Sequence, residues 1–137
     1  MDCSEIISNI KKSLPDFSAL SVSQDYADEI CIKINSQAFK SVCLILHKIL
    51  PSPIMMLFAV DERKFLGVFT VNAVFVDLKA GQWIIVNMDI PQESPYFDSL
   101  AKNIHSATLF EREIREMFGS KRLSEFAGQA PVARVKE

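Results

Sequence analysis

Residues 54–90, IMMLFAVDERKFLGVFTVNAVFVDLKAGQWIIVNMDI, hold three apolar runs separated by the polar tetrapeptides DERK (61–64) and KAGQ (79–82). The runs are rich in β-branched and aromatic residues, which suit a pleated surface, and the short polar breaks suit turns. The spacing therefore predicts three consecutive antiparallel strands. Within the first run, Met55, Met56, Leu57 and Phe58 are assigned to the centre of the sheet, as core rather than as a sticky surface.

Upstream, DEICIKI (28–34) alternates Ile30, Ile32 and Ile34 with Cys31 and Lys33, the period of a strand with one buried face. SVSQDY (21–26) before it fits a hairpin partner. Between this strand and the 54–90 block, Ser36 opens SQAFKSVCLILHKIL. Phe39, Val42, Leu46 and Ile49 line one side there, Ser36 serves as the helix cap, and Pro51 forces a stop. A further helix is predicted over residues 4–14, where Ile6, Ile7, Ile10 and Leu14 fall at helical spacing, with Ser4 as cap and Pro15 just beyond. Downstream, a loop containing Pro91 and Pro95 leads to a last helix within 107–119, followed by an irregular tail over 120–137. The order α-β-α-β-β-β-α predicts an α+β fold of two layers, with helices packed on one face of a mixed β-sheet. Phe39, Val42, Ile45, Phe110 and Ile114 are expected to be buried against that sheet.

A chain of 137 residues suffices for one domain with its own core. A single domain over 1–137 is the expectation. Hydrophobic residues make up 49% and charged residues 23%, a globular rather than a disordered composition. The net charge of -2 and the lack of any basic run argue against a nucleic-acid partner. The three cysteines, Cys3, Cys31 and Cys43, are odd in number and far apart, forming neither a disulfide framework nor a CxxC motif, which fits a reducing compartment. The N-terminus does not read as a signal peptide. The longest apolar stretches fall short of the roughly 20 residues that cross a bilayer. The chain itself is not expected to span a membrane.

Catalytic chemistry is not written in the chain. His47 and His105 have no Cys, Asp or Glu at metal-ligand spacing around them. No glycine-rich phosphate loop or nucleophile elbow occurs. Cys43, on the second predicted helix, reads as a small buried hydrophobe. The expectation is no catalytic residue, no metal site and no cofactor site.

Charges are concentrated in ATLFEREIREMFG, residues 107–119. Thr108 with Glu111 matches a capping box, and Gly119 suits the left-handed residue after a helix end. At about 100° per residue, Ala107, Phe110, Ile114, Met117 and Phe118 share one face. Glu111 and Glu113 flank that face, and Arg112, Arg115 and Glu116 lie opposite. The Glu111 and Glu113 carboxylates diverge by about 200°, so they cannot act as an acid/base pair on one substrate. As a plain helix, the stretch would present a solvated face supported by the opposite-charge pairs Glu111–Arg115 and Arg112–Glu116.

The order of its letters carries more. LFEREIREMFG resembles W-x-E-R-E-x-x-D-x-F-G, the signature of the 30 kDa subunit family of respiratory complex I, shared with energy-converting membrane-bound nickel–iron hydrogenases and formate hydrogenlyases. Upstream, MMLFAVD, KFLGVFTVNAVFVDLKAGQWIIVNMDIP and SLAKNIHSATLFERE are similar to the family's strands and its approach to the signature, so the likeness covers about residues 28 to 120. Glu111, Arg112 and Glu113 match the Glu-Arg-Glu step, and Phe118 and Gly119 match Phe-Gly. Glu116 stands for the usual Asp, Leu109 replaces the usual Trp, and Ser106-Ala107 holds the place of a Pro-Ala step. After Gly119 the complex I branch continues with Gly-His-Pro-Asp-Leu-Arg, whereas this chain reads SKRLSEFAGQ, which favours the hydrogenase branch.

The resemblance implies a non-catalytic peripheral subunit of a multisubunit membrane-bound oxidoreductase, an energy-converting hydrogenase or a complex I-like NADH dehydrogenase. It implies no cofactor of its own and a place on the cytoplasmic face of the membrane, with membrane contact only indirectly through the complex. Its implied partners are a hydrogenase-like large subunit and a small iron–sulfur subunit. Phe110, Glu111, Arg112, Glu113, Glu116, Phe118 and Gly119 are the implied partner interface. The alternative is a stand-alone interaction domain of the same fold in a soluble assembly.

Overall fold

The computed structural model describes residues 3–93 and 97–117. Its elements are α1 (Cys3–Ser13), β1 (Ser21–Tyr26), β2 (Glu29–Lys33), α2 (Ser36–Ile49), β3 (Met56–Glu62), α3 (Arg63–Leu66), β4 (Val68–Asp77), β5 (Gln82–Pro91) and α4 (Ala107–Met117). The expected α+β architecture is present, with two additions to the element order. SVSQDY is indeed the hairpin partner, as β1. The break after β3 is one turn of helix rather than a turn alone. Gly67, at φ 68°, ends α3 by donating its N–H to the Arg63 carbonyl at 3.1 Å, a left-handed position that glycine adopts without strain. Because the backbone winds here, Phe65 and Leu66 fall outside β4 and are 81% and 66% exposed.

The five strands form one sheet in the order β1-β2-β5-β4-β3. β3, β4 and β5 make the expected antiparallel meander, and β2 joins it by running parallel to β5, with Ile30 opposite Ile84 and Ile32 opposite Val86. A parallel neighbour requires a crossover, which the α2-to-β4 segment supplies. Side chains alternate between the two faces of the sheet. One face carries Ile30 and Ile32, Leu57 and Ala59, Phe69 to Phe75 at every second position, and Ile84 to Ile90 likewise, all buried. Over it lie the helices: α2 across β5 and β4, α4 along β3, and α1 against α2. The other face, with Met56, Phe58, Val60, Thr70, Asn72, Val74, Ile85, Asn87 and Asp89, points away from the helices and is half-buried or exposed.

That one-sided covering corrects the assignment of the 55–58 run to the core. Only Leu57 is core, at 2% exposure, while Met55, Met56 and Phe58 are 44%, 49% and 36% exposed. A strand covered on one side buries alternate residues only, however apolar the intervening ones are.

α2 also differs in detail. Its cap is Asn35, whose Oδ1 accepts the Ala38 N–H at 2.9 Å, so Ser36 is the first helical residue rather than the cap. The buried stripe is Phe39, Val42, Cys43 and Leu46, continued by Leu50. Ile49 points outward at 37% exposure, and Ile45 is half-buried against the core. Asn35→Ala is expected to lower stability by about 1 kcal/mol, the usual cost of losing an N-cap acceptor, read as a shift of the urea midpoint. Cys43 is fully buried, and burial pushes its thiol well above the ordinary value, so it behaves as the small hydrophobe expected.

Candidate functional site

Local order ahead of α4 explains how the signature helix is held. Leu100 and Ile104 are fully buried, at 1% and 0% exposure, and consecutive turns carry the chain from one into α4. The Leu100 carbonyl accepts from Asn103 and Ile104 N–H groups at 3.1 and 2.7 Å, and the Ile104 carbonyl accepts from Ala107 N–H at 2.9 Å. Thr108 Oγ1 donates to the His105 carbonyl at 2.8 Å. The threonine hydroxyl is thus turned back along the chain, and the expected capping box with Glu111 is not formed.

Glu111 does something else. Its side chain is 3% exposed. Oε1 accepts the Leu100 N–H at 2.7 Å, and Oε2 accepts the Ser99 hydroxyl at 2.9 Å. Ser99 Oγ in turn accepts the Ala101 N–H at 3.1 Å. Burial raises the carboxyl above its ordinary value, opposed by the hydrogen bonds from Leu100, Ser99 and Ala101 and by the charge of Lys40. The first glutamate of the Glu-Arg-Glu step therefore pins the lead-in segment onto the helix, with both carboxylate oxygens turned inward. The physical reason is angular: on α4 it lies about 40° from buried Ala107 and 60° from buried Ile114.

The other expected interface residues, with Leu109 and Ile114 beside them on α4, differ in exposure. Ile114 is buried, and Phe110 is half-buried against the core, so Phe110 serves the fold first. Arg112, Glu113 and Glu116 are exposed, and Leu109 is 69% exposed. These four fall within about 100° of arc, with Leu109 and Glu116 near its middle. The outer face of α4 is thus an apolar side chain ringed by one cation and two anions. Sequence reasoning noted Leu109 only as a replacement for Trp; its angular distance from Ile114 was the signal that placed it outside. Phe118 and Gly119 lie outside the described residues, as does the tail.

Residues 32–122 match the family model for the 30 kDa subunit of the respiratory-chain NADH dehydrogenase. The chain belongs to that family. The match takes in β3, β4, β5 and α4, and so every residue of the outer α4 face. Two solved structures are similar in fold. One is a chain of the membrane-bound sulfane sulfur reductase, an archaeal respiratory membrane complex, at 17% identity and TM-score 0.71, covering 85% of this chain and 67% of that one. The other is the trypsin-resistant fragment of Nqo5, at 15% identity and TM-score 0.65, covering 87% of this chain and 93% of that one. A search of curated proteins returns no match. This 30 kDa-family chain is of the kind that serves as one subunit of a multisubunit respiratory complex.

Other chemistry is sparse. Among the described residues, no group of three His, Cys, Asp or Glu side chains gathers into a possible metal site. No helix of the described residues is long and apolar enough to cross a membrane. Cys31 lies on the open sheet face, where burial first, and then the neighbouring Glu29, raises its thiol above the ordinary value; such a thiol is a poor nucleophile at neutral pH.

Proposed function

We propose that this chain is a non-catalytic peripheral subunit of a membrane-bound oxidoreductase, of the energy-converting hydrogenase or NADH dehydrogenase type, that docks on the hydrogenase-like large subunit. A small iron–sulfur subunit is the second neighbour in this reading. The chain sits with them on the cytoplasmic face of the membrane. The outer face of α4 is the docking surface. The observation that carries this reading is the division within the Glu-Arg-Glu step. Glu111 is consumed by the fold, while Arg112 and Glu113, together with Glu116, surround an exposed Leu109 that the fold does not use. An arginine beside an exposed apolar side chain is the composition of an interface centre, where both are desolvated together.

Arg112→Ala and Leu109→Ala are expected to weaken capture of the large subunit at least about tenfold each, or about 1.4 kcal/mol. Both positions are exposed, so melting temperatures should stay close to wild type. The measurement is co-purification of the large subunit by each variant, with thermal melts in parallel. Equal recovery by wild type and both variants would return α4 to the role of an ordinary solvated helix.

A further inference from the structure

The sheet ends in two edge strands of opposite character. β1 is exposed along all six residues, Ser21 to Tyr26, and its register with β2 shifts between Ser23 and Tyr26. A bulged, polar edge of this sort discourages pairing with another chain. β3 has no such bulge, and its polar residues are confined to Asp61 and Glu62 at one end. It pairs with β4 in unbroken register from Met56 opposite Val74 to Glu62 opposite Val68. It contains no proline and no lysine, and among the described residues no strand pairs with its other side. The outer N–H and C=O groups of an edge strand, at every second residue, suit an extended backbone laid beside it. Beside that edge, on the open face, stand Met56, Phe58 and Val60, which are 49%, 36% and 38% exposed.

We propose that β3 is an attachment strand: an extended segment of the partner subunit adds to it as a sixth strand. That segment carries apolar residues at alternate positions over Met56, Phe58 and Val60, and a Lys or Arg opposite Glu62. The inference rests on the reading above that the chain works inside a complex with other proteins, and adds a second surface to the outer face of α4. Charge specifies the basic residue. Asp61 is already held by Arg63 through Oδ1 at 2.9 Å and Oδ2 at 2.7 Å, whereas Glu62 lies on the same face as the apolar trio at its far end. The same charge disfavours a second copy. Two β3 strands pairing antiparallel about Ala59 would set each Glu62 against a Met56, burying a carboxylate without a cation, which is costly. Because α4 lies along the covered side of β3, a partner can engage the helix and the strand edge together.

Amide hydrogen exchange on the full chain, alone and in complex with the hydrogenase-like large subunit, tests this. In the complex, those β3 amides that β4 does not bond are expected to exchange at least about tenfold more slowly than in the free chain. The double variant Phe58→Lys with Val60→Lys is expected to lose capture at least about tenfold relative to Phe58→Ala with Val60→Ala, at a similar melting temperature for the two double variants, since an edge lysine opposes strand addition. If wild type captures the large subunit and β3 exchange is unaltered, strand addition is wrong while the α4 reading stands. If wild type captures nothing, both fall. Protection of the β3 edge already in the free chain, whether constant or rising with concentration, would mean that the chain's own residues or a second copy occupy it, and would also overturn the proposal.

Discussion

Replacing Phe75 with alanine is expected to lower the unfolding free energy by about 3–5 kcal/mol, the range for emptying a fully enclosed aromatic site. Phe75 has 0% exposure and stands on β4 opposite Ile84 of β5, on the face covered by the helices. Domains of this size hold roughly 5–15 kcal/mol in all, so a large share of the stability goes with one side chain. The check is a urea titration in which the midpoint falls and the slope is preserved. Phe58→Ala, on the neighbouring strand but on the open face, supplies the contrast. It is 36% exposed, and the same truncation should cost less than half as much. Similar losses for both would mean that the open face is covered in the free chain.

Glu111→Ala is expected to cost about 3 kcal/mol. The Leu100 N–H would be left buried without an acceptor, a penalty of about 1–3 kcal/mol, and the Ser99 hydroxyl would lose its acceptor as well. Glu111→Gln separates hydrogen bonding from charge. Its carbonyl oxygen can still accept from Leu100, and its amide can donate to Ser99 Oγ, so it should stay within about 1 kcal/mol of wild type. The pH dependence follows from the direction of the shift. Burial raises the folded-state carboxyl above the ordinary glutamate value, so the folded chain holds this proton more tightly than the unfolded chain. The associated stability is full below the ordinary value, is lost as pH rises through the raised one, and is level above it. Thermal melts of Glu111→Gln should lack this component, so the difference between wild type and variant should itself change across that interval and be constant above it. A difference independent of pH would show that Glu111 titrates alike in both states.

How far the sequence discloses this molecule depends on whether the deciding contact is near or distant along the chain. Ile30, Ile32 and Ile34 announce a strand with one buried face because alternation is a local property, and the meander over 54–90 follows from its two polar breaks. Met56 and Phe58 were misread because IMMLFAV is apolar at both parities. Only the placement of α2 and α4 on one side of the sheet decides which parity is inside. The sequence pattern places the cap of α2 at Ser36, one residue late, because adjacent Asn35 is an equally good acceptor and the pattern does not say which of the two takes the extended backbone. Glu111 was misread as a capping-box member for the same reason as the methionines: its partners, Ser99 and Leu100, lie in a loop with no periodicity of its own. On α4, helical geometry correctly set Arg112 and Glu116 opposite Ile114, because an angle within one helix needs no knowledge of the rest.

The parallel pairing of β2 with β5 bears on how the chain comes to be folded. β3, β4 and β5 are joined by short connections and can assemble as soon as they exist, whereas β2 must wait for β5 until α2, β3, α3 and β4 have been made. Non-local pairing of this kind is the slow step, since loop closure precedes any reward from contact. During synthesis, which proceeds from the N-terminus, Ile30 and Ile32 therefore leave the ribosome well before Ile84 and Val86 are available to cover them. Until β5 is made, β2 lacks the sheet neighbour on its inner side that pairs Ile30 with Ile84 and Ile32 with Val86.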